Sequence, residues 1–151
     1  RPHGRQCHRG IWVYKNLKNL TVMKKRIEIY LPRAIEIVKE VGIADEDNRV
    51  PSEFNGYISS FGAAIIQSGL KPAAAFFSNE NSRTEKVRSL VVKAVYALIT
   101  DNEAEKIEAK DLLDHIIQNN HRIRSITPEI IDASVAQKLA IRTYKKLKSD
   151  E

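Results

Sequence analysis

From Met23 onward, apolar residues recur at the three-and-four spacing of a helix rather than the alternation of a strand. Ile27, Leu31, Ile35 and Val38 predict a first helix over Lys24–Val41, closed by Gly42. Pro32 within it predicts either a kink or a fresh helical start. A polar loop follows at Asp45–Arg49, and Pro51 is placed to open a second helix. In that helix Phe54, Tyr57, Ile58, Phe61 and Ile65 share one face. Gly69 stands where a left-handed cap belongs, with Leu70 expected to fold back on Ile65 in a Schellman ending. Pro72 opens a short apolar helix to Ser78. The small residues Gly62, Ala63, Ala64 and Ala73–Ala75 suggest that helices approach closely around this corner.

Ser82 and Glu85 form a capping-box pattern ahead of a continuous stripe of Val87, Leu90, Val91, Ala94, Val95 and Leu98. After a break at Asp101–Glu103, a helix around Glu108–Gln118 is expected to bury Leu112, Leu113, Ile116 and Ile117. Thr127–Pro128 is read as the start of a last helix running to about Leu147. No alternating run bounded by turn residues competes. The expectation is an all-α fold, a compact bundle of about five or six helices over residues 23–151.

Composition changes this picture in one place. Residues 1–22 hold five Lys or Arg and no acid, together with Trp12 and Cys7, the single Trp and Cys. Taking those five from totals of 25 basic and 19 acidic residues leaves 20 against 19, so the body is nearly neutral. The leader lacks clear periodicity, and the sole Met, Met23, directly precedes the helical pattern. It therefore reads as a weakly ordered, upstream or added extension. One Cys excludes an internal disulfide framework and suits a reducing, cytoplasmic setting.

Candidate chemistry is sparse. Asp111, Asp114 and His115 fall on one helix face but lack a fourth ligand, and a solvated polar face explains them. His3, Cys7 and His8 lie in the leader. Ser59, Ser60 and Ser68 lack a nucleophile-elbow setting, His115 and His121 lack an adjacent nucleophile, and no phosphate-cradling glycine loop occurs. Neither a catalytic centre, a metal nor a cofactor is expected. The last helix is more informative. Lys138, Arg142 and Lys145 project within about 60° of one another, with Lys146 close by and Ala133, Ala136, Ala140, Tyr144 and Leu147 opposite. Such a stripe suits a phosphate backbone, although cations near a helix C-terminus also complement its dipole. Arg122, Arg124 and Lys71 are further candidate phosphate contacts.

The stretch Tyr57-Ile-Ser-Ser-Phe-Gly-Ala-Ala-Ile-Ile-Gln-Ser-Gly-Leu70, running into Pro72-Ala-Ala-Ala-Phe-Phe77, resembles the small subunit of type III-B CRISPR–Cas effector complexes, the fifth protein of the Cmr complex. His121-Arg122, Thr127-Pro-Glu-Ile-Ile131 and Lys138-Leu-Ala140 look like later segments of that family. The likeness covers roughly 23–148. It departs at His121, where the family often has an aromatic, and at Val135 or Ala136, where it usually has a bulky one. The resemblance implies a non-catalytic subunit that stacks head to tail beside other Cmr subunits and lines the channel where CRISPR RNA meets target RNA. A helical DNA-binding regulator is the alternative. It is disfavoured because the helix after the Gly69 corner is Ala and Phe, with few side chains to read bases.

Overall fold

A computed structural model describes residues 2–147, with side chains described from Leu20 onward. Seven α-helices follow one another: α1 Pro2–Glu40, α2 Glu53–Ser68, α3 Leu70–Phe77, α4 Arg83–Arg88, α5 Leu90–Ile99, α6 Asp111–Gln118 and α7 Ile123–Arg142. Single 3-10 turns stand at Ala104–Lys106 and Asn120–Arg122. Two three-residue strands, β1 Arg49–Pro51 and β2 Lys145–Leu147, pair in parallel. The fold is an all-α bundle, as the periodicity predicts. Among the described residues no helix is long and apolar enough to cross a membrane.

Several boundaries differ from those expected. The first helix does not begin at Lys24 but runs unbroken through Met23 from Pro2, with Pro32 inside it. The Schellman ending expected at Gly69 is formed at Gly42 instead. There the Ile43 N–H reaches the Val38 carbonyl (3.0 Å) and the Gly42 N–H the Lys39 carbonyl (3.2 Å), with Gly42 at φ +89°. Ile43 and Val38 are both buried, the apolar contact that accompanies this motif.

Gly69 does need a positive φ, at +95°, but its ψ of 165° is extended rather than left-handed helical. The chain therefore turns directly into α3, whose first bond runs from the Ala73 N–H to the Gly69 carbonyl. Pro51 does not open α2. It lies in β1, and the helix begins at Glu53 after Ser52. Pro72 is the third residue of α3, still within the first turn, where N–H groups have no helical partner.

The Ser82 hydroxyl accepts from the Glu85 N–H at 3.1 Å, as a capping box requires. The reciprocal bond shifts by one residue, so that the Glu85 carboxylate takes the Asn81 N–H (2.9 Å). The expected long helix is interrupted at Ser89, which splits it into α4 and α5. The buried Ser89 Oγ lies 2.7 Å from the Lys86 carbonyl, a back-bond that tightens the turn. Val87, expected in the apolar stripe, is exposed, whereas Val92 and Ala97 are buried with Val91, Ala94, Val95 and Leu98. Helix α5 is thus wrapped on most sides and forms the centre of the bundle.

Around α5 pack Ala34, Ile37 and Val38 of α1, Phe54, Ile58, Phe61 and Ile65 of α2, and Leu112 and Ile116 of α6. Ile126, Ile130, Ala133, Ala136, Ala140 and Ile141 of α7 complete the same cluster. Ile117, expected inside, is exposed. Gly62 and Ala63 do not mediate a close helix contact either. A Cβ added at Gly62 meets nothing within 4 Å, and Ala63 is exposed.

Candidate nucleic-acid interface

Helix α7 presents the cations, and its start and end both differ from the expected ones. It begins at Ile123, four residues before Thr127, and holds Pro128 in its interior. The proline cannot donate to the Arg124 carbonyl. The Thr127 hydroxyl meanwhile donates to the Ile123 carbonyl at 2.6 Å, one turn back. The helix stops at Arg142, because the chain must turn to lay Lys145–Leu147 beside Arg49–Pro51.

That early stop divides the predicted stripe. Lys138 and Arg142 remain one turn apart on one face of α7, the first half-buried and the second exposed. Lys145 and Lys146 are exposed but consecutive in a strand, so they leave opposite faces of the ribbon. Lys145 pairs in register with Arg49, whose guanidinium is held by Asp45 and Asp47, both at 3.2 Å. The Asp45 carboxylate also accepts the Arg49 and Asp47 N–H groups, which hold its pKa below the ordinary value. Lys145 lines an open hollow with Asp47, Asn48, Tyr144 and Ile35.

Arg122 and Arg124 are exposed at the other end of α7. At 1.5 Å per residue, Arg124 and Arg142 stand about 27 Å apart along the axis. They form two separate patches. The N-terminal pair is disfavoured by the helix dipole by roughly 0.3–1 kcal/mol per charge, and no acid occupies that first turn. Lys71 is exposed in the first turn of α3. Among the described residues, none of these seven cations joins an ion pair or side-chain hydrogen bond.

The other candidate chemistry resolves into local structure. Asp111 Oδ2 accepts the Glu108 N–H at 2.8 Å, which fixes the loop into α6. His115 packs edge-on to Tyr96 at 5.7 Å, and Asp114 is exposed. Among the described residues no three His, Cys, Asp or Glu side chains gather as metal ligands would. Residues His3, Cys7 and His8 lie outside the described side chains.

Spacing along the chain left two surface features unseen. Residues 54–70 carry no charged side chain. The exposed edge of α2 forms a shallow groove with α7, about 210 Å³, lined by Ser59, Gly62, Ala63, Ile66, Val135 and Lys138. Ile66 is 80% exposed there. The second feature is Arg88, whose guanidinium stacks over Phe76 at 4.3 Å. Twelve residues separate the two, and no periodicity links them.

The family model for CRISPR-associated protein (Cas_Cmr5) matches residues 30–140. The chain belongs to this family, the small subunit of the type III-B Cmr complex. It is also similar to a cysteine–tRNA ligase of Encephalitozoon cuniculi (strain GB-M1), with 28% identity over 131 residues. That alignment takes in 81% of this chain but 27% of the ligase, so the chain spans about a quarter of that relative's length. No solved structure matches.

Proposed function

We infer that the chain is a non-catalytic structural subunit of a type III-B RNA-guided complex. It stacks beside other Cmr subunits and further copies of itself, and touches the phosphates of CRISPR RNA and target RNA. Family membership supports the setting. The observation that carries RNA contact is the pair Lys138 and Arg142, adjacent on α7 and free of any acid among the described residues. Phosphate contact needs no base reading, because pairing between guide and target supplies the specificity. Lys145 and Lys146 on the ribbon, Arg122 with Arg124 at the start of α7, and Lys71 on α3 are further phosphate contacts in this reading. The charge-free face of α2 beside the groove, with Ile66 80% exposed on it, supports the protein-contact half of the reading. Exposed apolar surface without charge is typical of subunit contacts.

The test is RNA binding by the full chain across a salt series. Binding is expected to be weak and indifferent to sequence, and to fall steeply with salt. Replacing Lys138 and Arg142 together by Ala is expected to flatten the log–log slope by about 1.4, roughly 0.7 for each single-strand phosphate no longer neutralised. An unchanged slope removes this pair from the interface. A preferred duplex DNA sequence emerging from selection would instead favour the regulator.

A further inference from the structure

The Phe76–Arg88 pair takes no part in phosphate contact by α7, and its geometry is unusual for a surface. Phe76 is 54% exposed, yet it is held in place from two sides. Its ring meets Phe77 edge-on at 5.6 Å, and Phe77, buried, meets Phe61 of α2 in the same way at 5.2 Å. A line of three aromatics thus runs from the core to the solvent. The Arg88 guanidinium closes that line, 4.3 Å from the Phe76 centroid and 5.5 Å from that of Phe77.

Arg88 itself is unsatisfied. Its Nε is buried without a hydrogen-bond partner, and among the described residues no carboxylate pairs with its guanidinium. The acids nearest in sequence are already engaged. Glu80 binds Lys93 (3.5 Å) and lies 3.1 Å from the Ser89 hydroxyl, while Glu85 holds the Asn81 N–H. The same two short helices carry further cations that join no ion pair among the described residues. Lys71, Pro72, Ala75 and Phe76 are exposed together on one face of α3, and Arg83 and Lys86 are exposed on α4. A stacked arginine left without an anion, beside an open aromatic ring, has the makeup of a site for a base and its phosphate.

We propose that Phe76 and Arg88 form a stacking platform for an unpaired nucleotide of single-stranded RNA. The base lies on the open part of the Phe76 ring, and the adjoining phosphate takes the free guanidinium N–H groups. The platform selects single strands because bases within a duplex already cover one another's faces. This assignment rests on the RNA-contact reading but uses different residues, so the two can fail separately.

The experiment uses the full chain with a fluorescent oligouridine, a blunt RNA duplex of equal length, and the same oligouridine carrying 5-iodouridine for photo-cross-linking. The expected cross-link maps to Phe76. Phe76→Leu is expected to weaken single-strand binding by roughly fivefold or more, and to leave duplex binding and the salt slope unchanged. Phe76→Tyr retains binding. Arg88→Gln lowers the slope by about 0.7, and circular dichroism of each variant checks its fold. Equal loss on duplex and single strand, or a cross-link elsewhere, overturns the platform. So does a Phe76→Leu variant that binds RNA normally but no longer joins its partner subunits, which would make the patch a protein contact. If Lys138→Ala with Arg142→Ala weakens binding and Phe76→Leu does not, the platform alone falls. If the unaltered chain binds neither RNA, both readings fall.

Discussion

Two glycines in and beside α2 have opposite tasks. Gly69 sits at φ +95° and ψ 165°, a region open essentially to glycine alone, because it swings the chain from α2 into α3 within one residue. A Cβ there would meet only Pro72 Cδ, at an ordinary 3.8 Å, so the obstacle is backbone strain and not space. Gly69→Ala is therefore expected to destabilise the fold by about 1–3 kcal/mol. Gly62 lies inside α2 with open space where a Cβ would stand. Gly62→Ala is expected to stabilise by roughly 0.5–1 kcal/mol through helix propensity. Urea unfolding of the pair separates the two effects. The need for glycine at 69 was legible in the sequence. The way the chain leaves it was not, because one residue serves as the cap of two helices.

At the level of elements, most helices were legible and most of their ends were not. Periodicity reports which face is buried, whereas an end depends on what the next segment must reach. Thr127–Pro128 looks like a helix start, yet packing of Ile126 into the core carries the helix back to Ile123. Buried polar groups on α7 were also hidden. Gln137 is fully buried, with its Nε2 donating to the Ala94 carbonyl of α5 at 3.2 Å and its Oε1 unpartnered. Because that carbonyl lies inside a helix, Gln137→Met is expected to gain about 1 kcal/mol, read as a rise in the urea midpoint.

Asp132, also buried on α7, accepts from Arg26 of α1 at 2.8 Å. Burial raises its carboxyl pKa, and Arg26 opposes that rise. A carboxyl whose pKa is raised on folding binds its proton more tightly in the native state. Its contribution to stability therefore falls as pH climbs from the ordinary carboxylate range through the raised value. Arg26→Met removes the opposing charge, and the partly exposed position of Arg26 limits the loss at pH 7 to about 1–3 kcal/mol. The deficit is expected to shrink as pH falls through the raised value, because protonation removes the buried charge. Unfolding curves over that range check the sign.

Across the whole molecule, the contact that closes the chain is the parallel ribbon joining Arg49–Pro51 to Lys145–Leu147. The Tyr144 hydroxyl, beside the ribbon, donates to the Ile35 carbonyl of α1, and burial raises its pKa. Tyr144→Phe is expected to cost roughly 0.5–1.5 kcal/mol, measured by urea unfolding. The same closure sets the candidate interface. It ends α7 at Arg142, moves Lys145 and Lys146 onto a strand, and leaves the seven cations in separate patches.

The order of apolar and polar residues was enough to determine an all-helical bundle, the buried face of α2, and the capping box at Ser82. Each depends on neighbours within one or two turns, whose spacing the backbone geometry fixes. The pairing of two strands 96 residues apart, the stacking of Arg88 on Phe76, and the Gln137 bond to Ala94 were decided only by tertiary structure. These contacts join residues that no local rule relates, and they form because burying the core leaves those groups facing one another.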